Sequence, residues 1–249
     1  MVDNFDEIRK HLDFKSDFDR YIVHVIKRAK DENGKKYGVN ETNRLLKTFY
    51  ITSVEYFDKK IPVIRDLCDS NSARAYILPQ VRNNEDCLRN LLKVVVDNLS
   101  NPTIKPDHLI RTAYCGNHCS RAKRWILDLD NDNMIERGIK AVGTYGTFAE
   151  KKWTVEEVML FVKEQLKNCG KENGECFVVP TVHGHCLVTE PFDLQKAYNK
   201  CSMMFQGVTR RFVDVHWTGP GEYENIHKNV NGWLIKDGMV LMYKGDGNE

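Results

Sequence analysis

The chain has 249 residues, of which 41% are hydrophobic and 29% charged, and its formal net charge is +2. This composition is ordinary for a globular protein, and the length suits one large domain or two small ones. No apolar run approaches the ~18–20 residues that a transmembrane helix requires, so we expect no membrane partner. The small net charge does not by itself demand a nucleic-acid partner either.

The cysteine content indicates the compartment. Eight cysteines are scattered over the chain, and the first residues have neither the basic start nor the apolar core of a secretory signal. Disulfide frameworks are typical of small exported proteins, whereas thiols stay reduced in the cytoplasm. We therefore expect a cytoplasmic protein with reduced cysteines.

Three segments of the first hundred residues have apolar side chains at helical spacing. These predicted helices are 17–30, 54–71 and 85–99. In the second helix, Pro62 argues for a break or a new first turn. In the third helix we expect one apolar side to pack on the core. That side carries Leu88, Leu91, Leu92, Val95 and Leu99.

Segments rich in β-branched and aromatic residues predict strands. They are 45–54, 73–78, 125–130, 175–179, 181–189, 212–215 and 239–243. A helix over 154–168 is predicted from Thr154 as N-cap, Glu157 in a capping box and Gly170 as the stop.

Two further segments complete the prediction. Residues 194–205 are expected to be helical, and the polar, glycine-containing stretch 131–146 is expected to be irregular. Helices and strands that alternate in this way predict an α/β or α+β fold.

The predicted strand Trp125–Asp130 has the sequence Trp-Ile-Leu-Asp-Leu-Asp. Because side chains alternate along a strand, Asp128 and Asp130 are predicted to share one face. Two carboxylates on a buried strand are costly unless a cation neutralises them, and Mg²⁺ or Mn²⁺ favours such oxygen ligands. The alternative is a strand that ends at Leu127 and runs into an Asp/Asn-rich turn.

Histidines mark a second candidate site, in the predicted strand over 181–189. His183 and His185 flank Gly184, which permits close approach of a ligand to the backbone. Histidine in such a place can hold a phosphate, transfer protons or bind a metal. Each histidine can equally be a structural polar group with a hydrogen-bond partner.

Two further groups of residues are weaker candidates for a functional site. Arg210 and Arg211 precede a short predicted strand that carries Asp214, which could be a third metal-binding carboxylate or a solubilising residue of an edge strand. Cys115, His118 and Cys119 could bind structural zinc, completed by a later histidine or by Cys186.

The order of these motifs resembles that of the archaeo-eukaryotic primase superfamily. The motifs are Leu127-Asp128-Leu129-Asp130, His183-Gly184-His185 and Val213-Asp214. The stretch from Pro180 through Thr189 to Phe192 also resembles primase-like proteins of bacteria and their phages. The resemblance implies an N-terminal α/β unit, 1–106, and a C-terminal unit similar to an RNA-recognition motif, 107–249, in one compact primase-like domain.

The same resemblance implies a role for each motif. Asp128, Asp130 and Asp214 would bind Mg²⁺ or Mn²⁺, and His185 would contact the phosphates of the incoming nucleotide. His183 stands where the family more usually has a small residue, and Arg210 and Arg211 would lie near the phosphates. Three other acids could replace Asp214 as the third ligand: Glu222, Glu224 and Asp237.

The expected function is therefore metal-dependent nucleotidyl transfer in DNA replication, with nucleoside triphosphates and single-stranded DNA or RNA as partners. The sequence leaves two alternatives open. One is a metal-dependent phosphodiesterase or nuclease built on the same carboxylates. The other is a non-catalytic module that binds nucleic acid or nucleotides and carries structural zinc.

Overall fold

The computed structural model describes residues 1–28, 43–115, 123–130, 135–142, 145–193, 208–209, 229–230, 233–236 and 239–245. For some of these only the backbone is described, namely Asp107, Arg111, Cys115, Asp130, 135–142, 145–152, 208–209, 229–230 and 233–236. Helices combine with antiparallel sheets, so the fold is α+β, as the sequence predicts. None of the helices in the described ranges is long and apolar enough to cross a membrane.

The chain forms two compact units. The first comprises Met1–Lys123 and Met239–Glu249, and the second comprises Arg124–Gly238. The prediction divided the chain at residue 107 and put the last strand in the second unit. In the structure, that strand pairs with the first sheet instead.

The first unit contains four helices and six strands in its described part. The helices are α1 (Phe5–Lys10), α2 (Val54–Asn71), α3 (Asn84–Asp97) and α4 (Pro106–Cys115). The strands are β1 (Val2–Asp3), β2 (Asp19–Lys27), β3 (Arg44–Ile51), β4 (Arg74–Ile77), β5 (Arg82–Asn83) and β14 (Val240–Lys244). The sheet has the order β1-β14-β4-β2-β3, with β5 paired to β2.

The predicted helix over 17–30 is wrong, because this segment contains strand β2. Four residues of β2 on both faces are at most 5% exposed: Tyr21, Ile22, Val23 and Val25. A strand that is buried on both faces has a continuous apolar run, and such a run lacks the alternation that distinguishes strand from helix. The strands predicted over 45–54 and 73–78 are confirmed as β3 and β4.

The two long predicted helices are confirmed with differences. Helix α2 continues through Pro62, so the predicted break does not occur. Helix α3 begins at the Asn83 cap, whose side chain accepts a hydrogen bond from the Asp86 amide. The predicted packing side of α3 is wrong in part. Cys87 is fully buried, whereas Leu92 is 69% exposed.

The second unit contains one helix and eight strands in its described part. The helix is α5 (Val155–Asn168), and four of the strands are β6 (Trp125–Asp130), β9 (Cys176–Pro180), β10 (Gly184–Thr189) and β13 (Trp233–Lys236). The others are β7 (Ile135–Val142), β8 (Tyr145–Lys152), β11 (Val208–Thr209) and β12 (Asn229–Val230). Strands β7 and β8 form a hairpin, so the irregular structure predicted over 131–146 is wrong for its described part.

The main sheet of this unit has the order β12-β13-β6-β10-β9, and all its neighbouring strands are antiparallel. Helix α5 lies between β6 and β9 in the chain and packs on one face of the sheet. Its core includes Leu127, Leu129, Val158, Phe161, Val162, Leu166 and Leu187. Strand β6 is therefore central, with β10 and β13 on its two sides. This position decides what surrounds Asp128 and Asp130.

Candidate functional site

Asp128 lies in the middle of the central strand of the second sheet. It stands opposite Cys186 on β10 and opposite Leu234 on β13. The neighbouring residues of β6, Leu127 and Leu129, belong to the core under α5. Because side chains alternate along a strand, Asp128 is on the sheet face that α5 does not cover.

The surroundings of Asp128 are mostly apolar. Ile126 and Cys186 are each 4% exposed, and Val188 and Val179 are fully buried. These four residues share the face of Asp128, since directly paired residues of an antiparallel sheet project to the same side. The Asp128 carboxylate itself is half-buried. A carboxylate in such a place gains from a cation or from hydrogen-bond donors.

Asp130 ends strand β6, and its backbone pairs with Gly184 at the start of β10. The strand thus continues past Leu127 to Asp130, which favours the strand over the alternative of an early turn. The side chain of Asp130 lies outside the described part of the structure.

The two histidines do not join Asp128 on its face. His185 pairs with Leu129, so its side chain belongs to the face on which α5 packs. His183 is exposed and lies in the turn between β9 and β10. This turn is closed by a 2.9 Å hydrogen bond from the Thr181 amide to the Gly184 carbonyl. The register therefore separates both histidines from Asp128.

Cys186 is the residue that the structure brings to Asp128 and that the sequence prediction treated only as an additional zinc ligand. It is the direct cross-strand partner of Asp128 and is 4% exposed. The alternation of side chains along β10 puts Cys186 on the face of Asp128, because the adjacent residues Cys186 and His185 must project to opposite faces. Only knowledge of the pairing between β6 and β10 could have identified it, since a one-residue shift exchanges the two faces.

Several predicted site residues lie outside the described residues. They are His118, Cys119, Arg210, Arg211, Asp214, Glu222, Glu224 and Asp237, and Cys115 is described only by its backbone at the end of α4. Within the described part of the chain, no group of three His, Cys, Asp or Glu residues converges as a metal site would.

The donors that the structure does place together on the face of β6 are a carboxylate and a thiol. Carboxylate oxygen suits hard ions such as Mg²⁺, whereas thiolate sulfur suits softer ions such as Zn²⁺. Two donors are fewer than the three or four protein ligands of a zinc site, so the described residues of this face do not by themselves form one.

A cluster of charged side chains lies at the N-terminal end of strand β6. Arg124 precedes the strand and forms salt bridges with Glu175, before β9, and with Glu190, after β10, where Nη1 and Oε1 are 3.3 Å apart. Lys171 Nζ lies 3.6 Å from the Glu190 carboxylate. Burial raises the pKa of Glu190, but the Glu175 amide and the Arg124 guanidinium outweigh it, and the pKa is lowered. The cluster thus ties together the ends of three neighbouring strands.

Comparisons of the chain with family models, with curated proteins and with solved structures find no match.

Proposed function

We propose that the chain is a primase-like, metal-dependent nucleotidyltransferase that acts on single-stranded nucleic acid. The observation that carries the proposal is the position of Asp128, a half-buried carboxylate, on the face of β6 opposite α5. If β6, β9, β10 and β13 are numbered in chain order, these four of the five strands of the sheet lie in the order fourth, first, third, second. RNA-recognition motifs have the same order of four antiparallel strands, and this likeness supports the proposed resemblance to primases.

In this function Asp128 and Asp130 would hold one or two divalent metal ions, with Asp214 as the proposed third ligand. Bound metal would activate a 3′-hydroxyl and stabilise the charge on the leaving pyrophosphate. The carboxylates would position the cation, and the apolar residues around Asp128 would reduce the access of water to it. Arg210 and Arg211 remain proposed contacts of the triphosphate.

The two histidines do not lie on the face of Asp128, so any contact that they make with a nucleotide would be elsewhere. The register places His185 away from Asp128, so it gives no support to a shared site. A contact of His185 or His183 with nucleotide would have to come at the end of the sheet, where β10 begins. There the exposed His183 is accessible to a ligand.

The test is primer synthesis and extension on single-stranded DNA, with labelled ribo- and deoxynucleotides and with Mg²⁺, Mn²⁺ or Zn²⁺. We expect incorporation to fall about 100-fold or more in the double variant Asp128→Asn, Asp130→Asn, because both proposed metal ligands are lost. Glu172→Gln is the matched control, since it removes a carboxylate from an exposed turn of the same unit. Circular dichroism and urea denaturation verify that each variant is folded.

Three outcomes would contradict the proposal. Equal nucleotide incorporation by the wild type and the double variant would show that Asp128 and Asp130 on β6 do not form the active site. Shortened DNA in place of extended primer would identify a phosphodiesterase instead. If the folded wild-type protein forms no product with any of the three metal ions, the proposed polymerase function is wrong.

A second candidate is a non-catalytic module that binds single-stranded nucleic acid. The observation that favours it is the composition of β10 on the Asp128 face, where the described residues Gly184, Cys186 and Val188 offer no basic side chain to a triphosphate. This candidate predicts that fluorescence anisotropy of a labelled oligonucleotide is unchanged by Asp128→Asn. It also predicts that no nucleotide is incorporated.

A further inference from the structure

We propose that the exposed side of helix α3 is an interface between two copies of this chain, which pair across a two-fold axis near Leu92. Helix α3 has apolar residues on two sides. One side packs within the first unit, where Cys87 is fully buried. The other side carries four apolar residues that are 46% to 75% exposed, namely Leu88, Leu92, Val96 and, just after the helix, Leu99.

A fifth exposed apolar residue lies at the beginning of the helix. The Asn84 amide, in the first turn of α3, donates a 2.7 Å hydrogen bond to the Phe18 carbonyl, so Phe18 lies beside the N-terminus of the helix. Phe18 is 50% exposed. We call Phe18, Leu88, Leu92, Val96 and Leu99 together the α3 surface. Apolar side chains are therefore exposed at both ends of the helix and along its length.

The area of the α3 surface suits pairing with a second copy. Its five residues expose roughly 500 Å², which lies in the upper part of the range for the largest apolar patch of a typical monomer. Two copies that pair through it would bury about 1,000 Å² from these residues alone, and a specific interface needs at least about that area. Because a second copy supplies an identical surface, both apolar surfaces would be removed from water at once.

The spacing of the exposed residues suits the packing of two identical helices. Leu88, Leu92 and Val96 follow one another at intervals of four residues. Such a row forms a ridge, and the ridges of two helices interdigitate when the helices cross at about −50°. In a two-fold interface the same patch of both copies takes part. Leu92 is the middle residue of the row, so we expect it to lie nearest the axis and to contact its own counterpart.

The charges on α3 favour a copy of the chain over nucleic acid. The helix has two basic residues, Arg89 and Lys93, and three acidic residues, Glu85, Asp86 and Asp97. Arg89 Nη2 lies 2.7 Å from Glu85 Oε1 in a salt bridge. The helix consequently has no excess of positive charge to attract phosphate groups. Its charges are also close to balance, so a second copy is not strongly repelled.

Sedimentation equilibrium of the full chain at roughly 1 to 100 μM tests the proposal, because a dimer dissociates on dilution. We expect a particle of twice the 28.9 kDa of one chain. Leu92→Glu should raise the dissociation constant about 100-fold or more, because two carboxylates would then meet at the axis. The matched control is Leu160→Glu, at a leucine of α5 that is 65% exposed, and it should leave the dissociation constant unchanged.

A mixing experiment tests whether the two copies of Leu92 meet. Leu92→Lys should be monomeric, as Leu92→Glu is, because like charges would face each other in a dimer of either variant. An equimolar mixture of the two variants should form dimers, since opposite charges then face each other across the axis. A mixture that stays monomeric would contradict the contact between the two copies of Leu92.

The remaining outcomes decide for or against the interface. A wild-type chain that is monomeric over the whole concentration range overturns the proposal without any variant. A dimer that Leu92→Glu leaves intact places the interface elsewhere on the chain. A monomer that binds a labelled single-stranded oligonucleotide, and loses this binding in Leu92→Glu, assigns the α3 surface to nucleic acid instead.

Folding of each variant is verified by circular dichroism. If Leu92→Glu does not fold, Leu92→Ala takes its place and should raise the dissociation constant about tenfold. Primer extension tests the proposed function independently of all these results.

Discussion

The Tyr243 hydroxyl lies 3.0 Å from both carboxylate oxygens of Asp69 and donates its hydrogen bond to that carboxylate. Tyr243 is on strand β14, close to the end of the chain, and Asp69 is in the last turn of α2. Tyr243 is 5% exposed, and its ring contacts that of Phe5 of α1, with ring centroids 5.8 Å apart. One side chain therefore links three elements that are far apart in sequence.

Removal of this hydroxyl should destabilise the first unit. We expect Tyr243→Phe to lower the free energy of unfolding by about 1 kcal/mol, because a partly buried hydrogen bond to a charged group is lost while the packing of the ring is retained. Urea denaturation at neutral pH measures the change. Tyr50→Phe, at a tyrosine that is 38% exposed, is the control and should change it by less than about 0.5 kcal/mol. Equal effects of the two substitutions would contradict the role given to the bond with Asp69.

The same tyrosine should make stability depend on alkaline pH. Burial, together with the hydrogen bond to Asp69, raises the pKa of Tyr243 to about 12 from an ordinary value of 10.0. Between these values the unfolded chain releases the proton and the folded protein keeps it, so the stabilisation is present below pH 10 and is lost as the pH rises toward 12. The fall in unfolding free energy over this range should be smaller in Tyr243→Phe than in wild type. Parallel slopes would show that Tyr243 does not titrate abnormally.

Gly245 gives a second test of the contact between Tyr243 and Asp69. A Cβ atom at Gly245 would overlap the Asp69 carboxylate, whose side chain would have to move. We expect Gly245→Ala to destabilise wild type by no more than Tyr243→Phe does, and to have almost no further effect in the Tyr243→Phe variant. A double-mutant cycle by urea denaturation measures this non-additivity. Additive losses would mean that Gly245 acts through something other than this hydrogen bond.

The parts of the fold that the sequence predicts are those with a local cause. Helix α5 is an example, because its capping box and its stop are both within the segment itself. Strand β6 is another, since Ile126, Leu127 and Leu129 give it an apolar core and it extends to Asp130.

The parts that it misses depend on contacts far apart in the chain. Strand β14 returns to pair with β4, which lies more than 160 residues earlier, and no local signal specifies that pairing. The separation of His185 from Asp128 is of the same kind. It follows from the register between β6 and β10, and a one-residue shift would reverse it. The sequence therefore predicts which residues could bind a metal or a nucleotide, but it does not predict which of them lie close together.

The capping box of α5 should contribute measurably to the second unit. The Thr154 hydroxyl accepts a hydrogen bond from the Glu157 amide, and the Glu157 carboxylate accepts one from the Thr154 amide, at 3.2 and 2.9 Å. We expect Thr154→Ala to cost about 1 kcal/mol of unfolding free energy, since one helix N–H loses its acceptor. Thr154→Ser keeps the acceptor and should be nearly neutral. A loss as large in the serine variant would assign the effect to the threonine methyl group instead.

Arg124 should control the acid stability of the sheet that carries Asp128. Its side chain is 17% exposed and pairs with Glu175 and Glu190, whose side chains are 30% and 29% exposed. We expect Arg124→Met to cost roughly 1–2 kcal/mol, between the values for exposed and for fully buried pairs. Because the pKa of Glu190 is lowered in the folded protein, its contribution is present at neutral pH and is lost as the pH falls through the acidic range below its usual pKa.

Urea denaturation between pH 7 and pH 3 tests the size of the Arg124→Met effect and its dependence on pH. The loss caused by Arg124→Met should be largest at pH 7 and should shrink as Glu190 is protonated, because a protonated carboxyl no longer attracts the guanidinium. Arg89→Met is the control, since Arg89 pairs with Glu85 on the exposed surface of α3 and should change stability by less than about 0.5 kcal/mol. A loss in Arg124→Met that does not vary with pH would mean that the arginine acts through packing of its aliphatic stem. It would then hold β6 in register without help from the charge of Glu190.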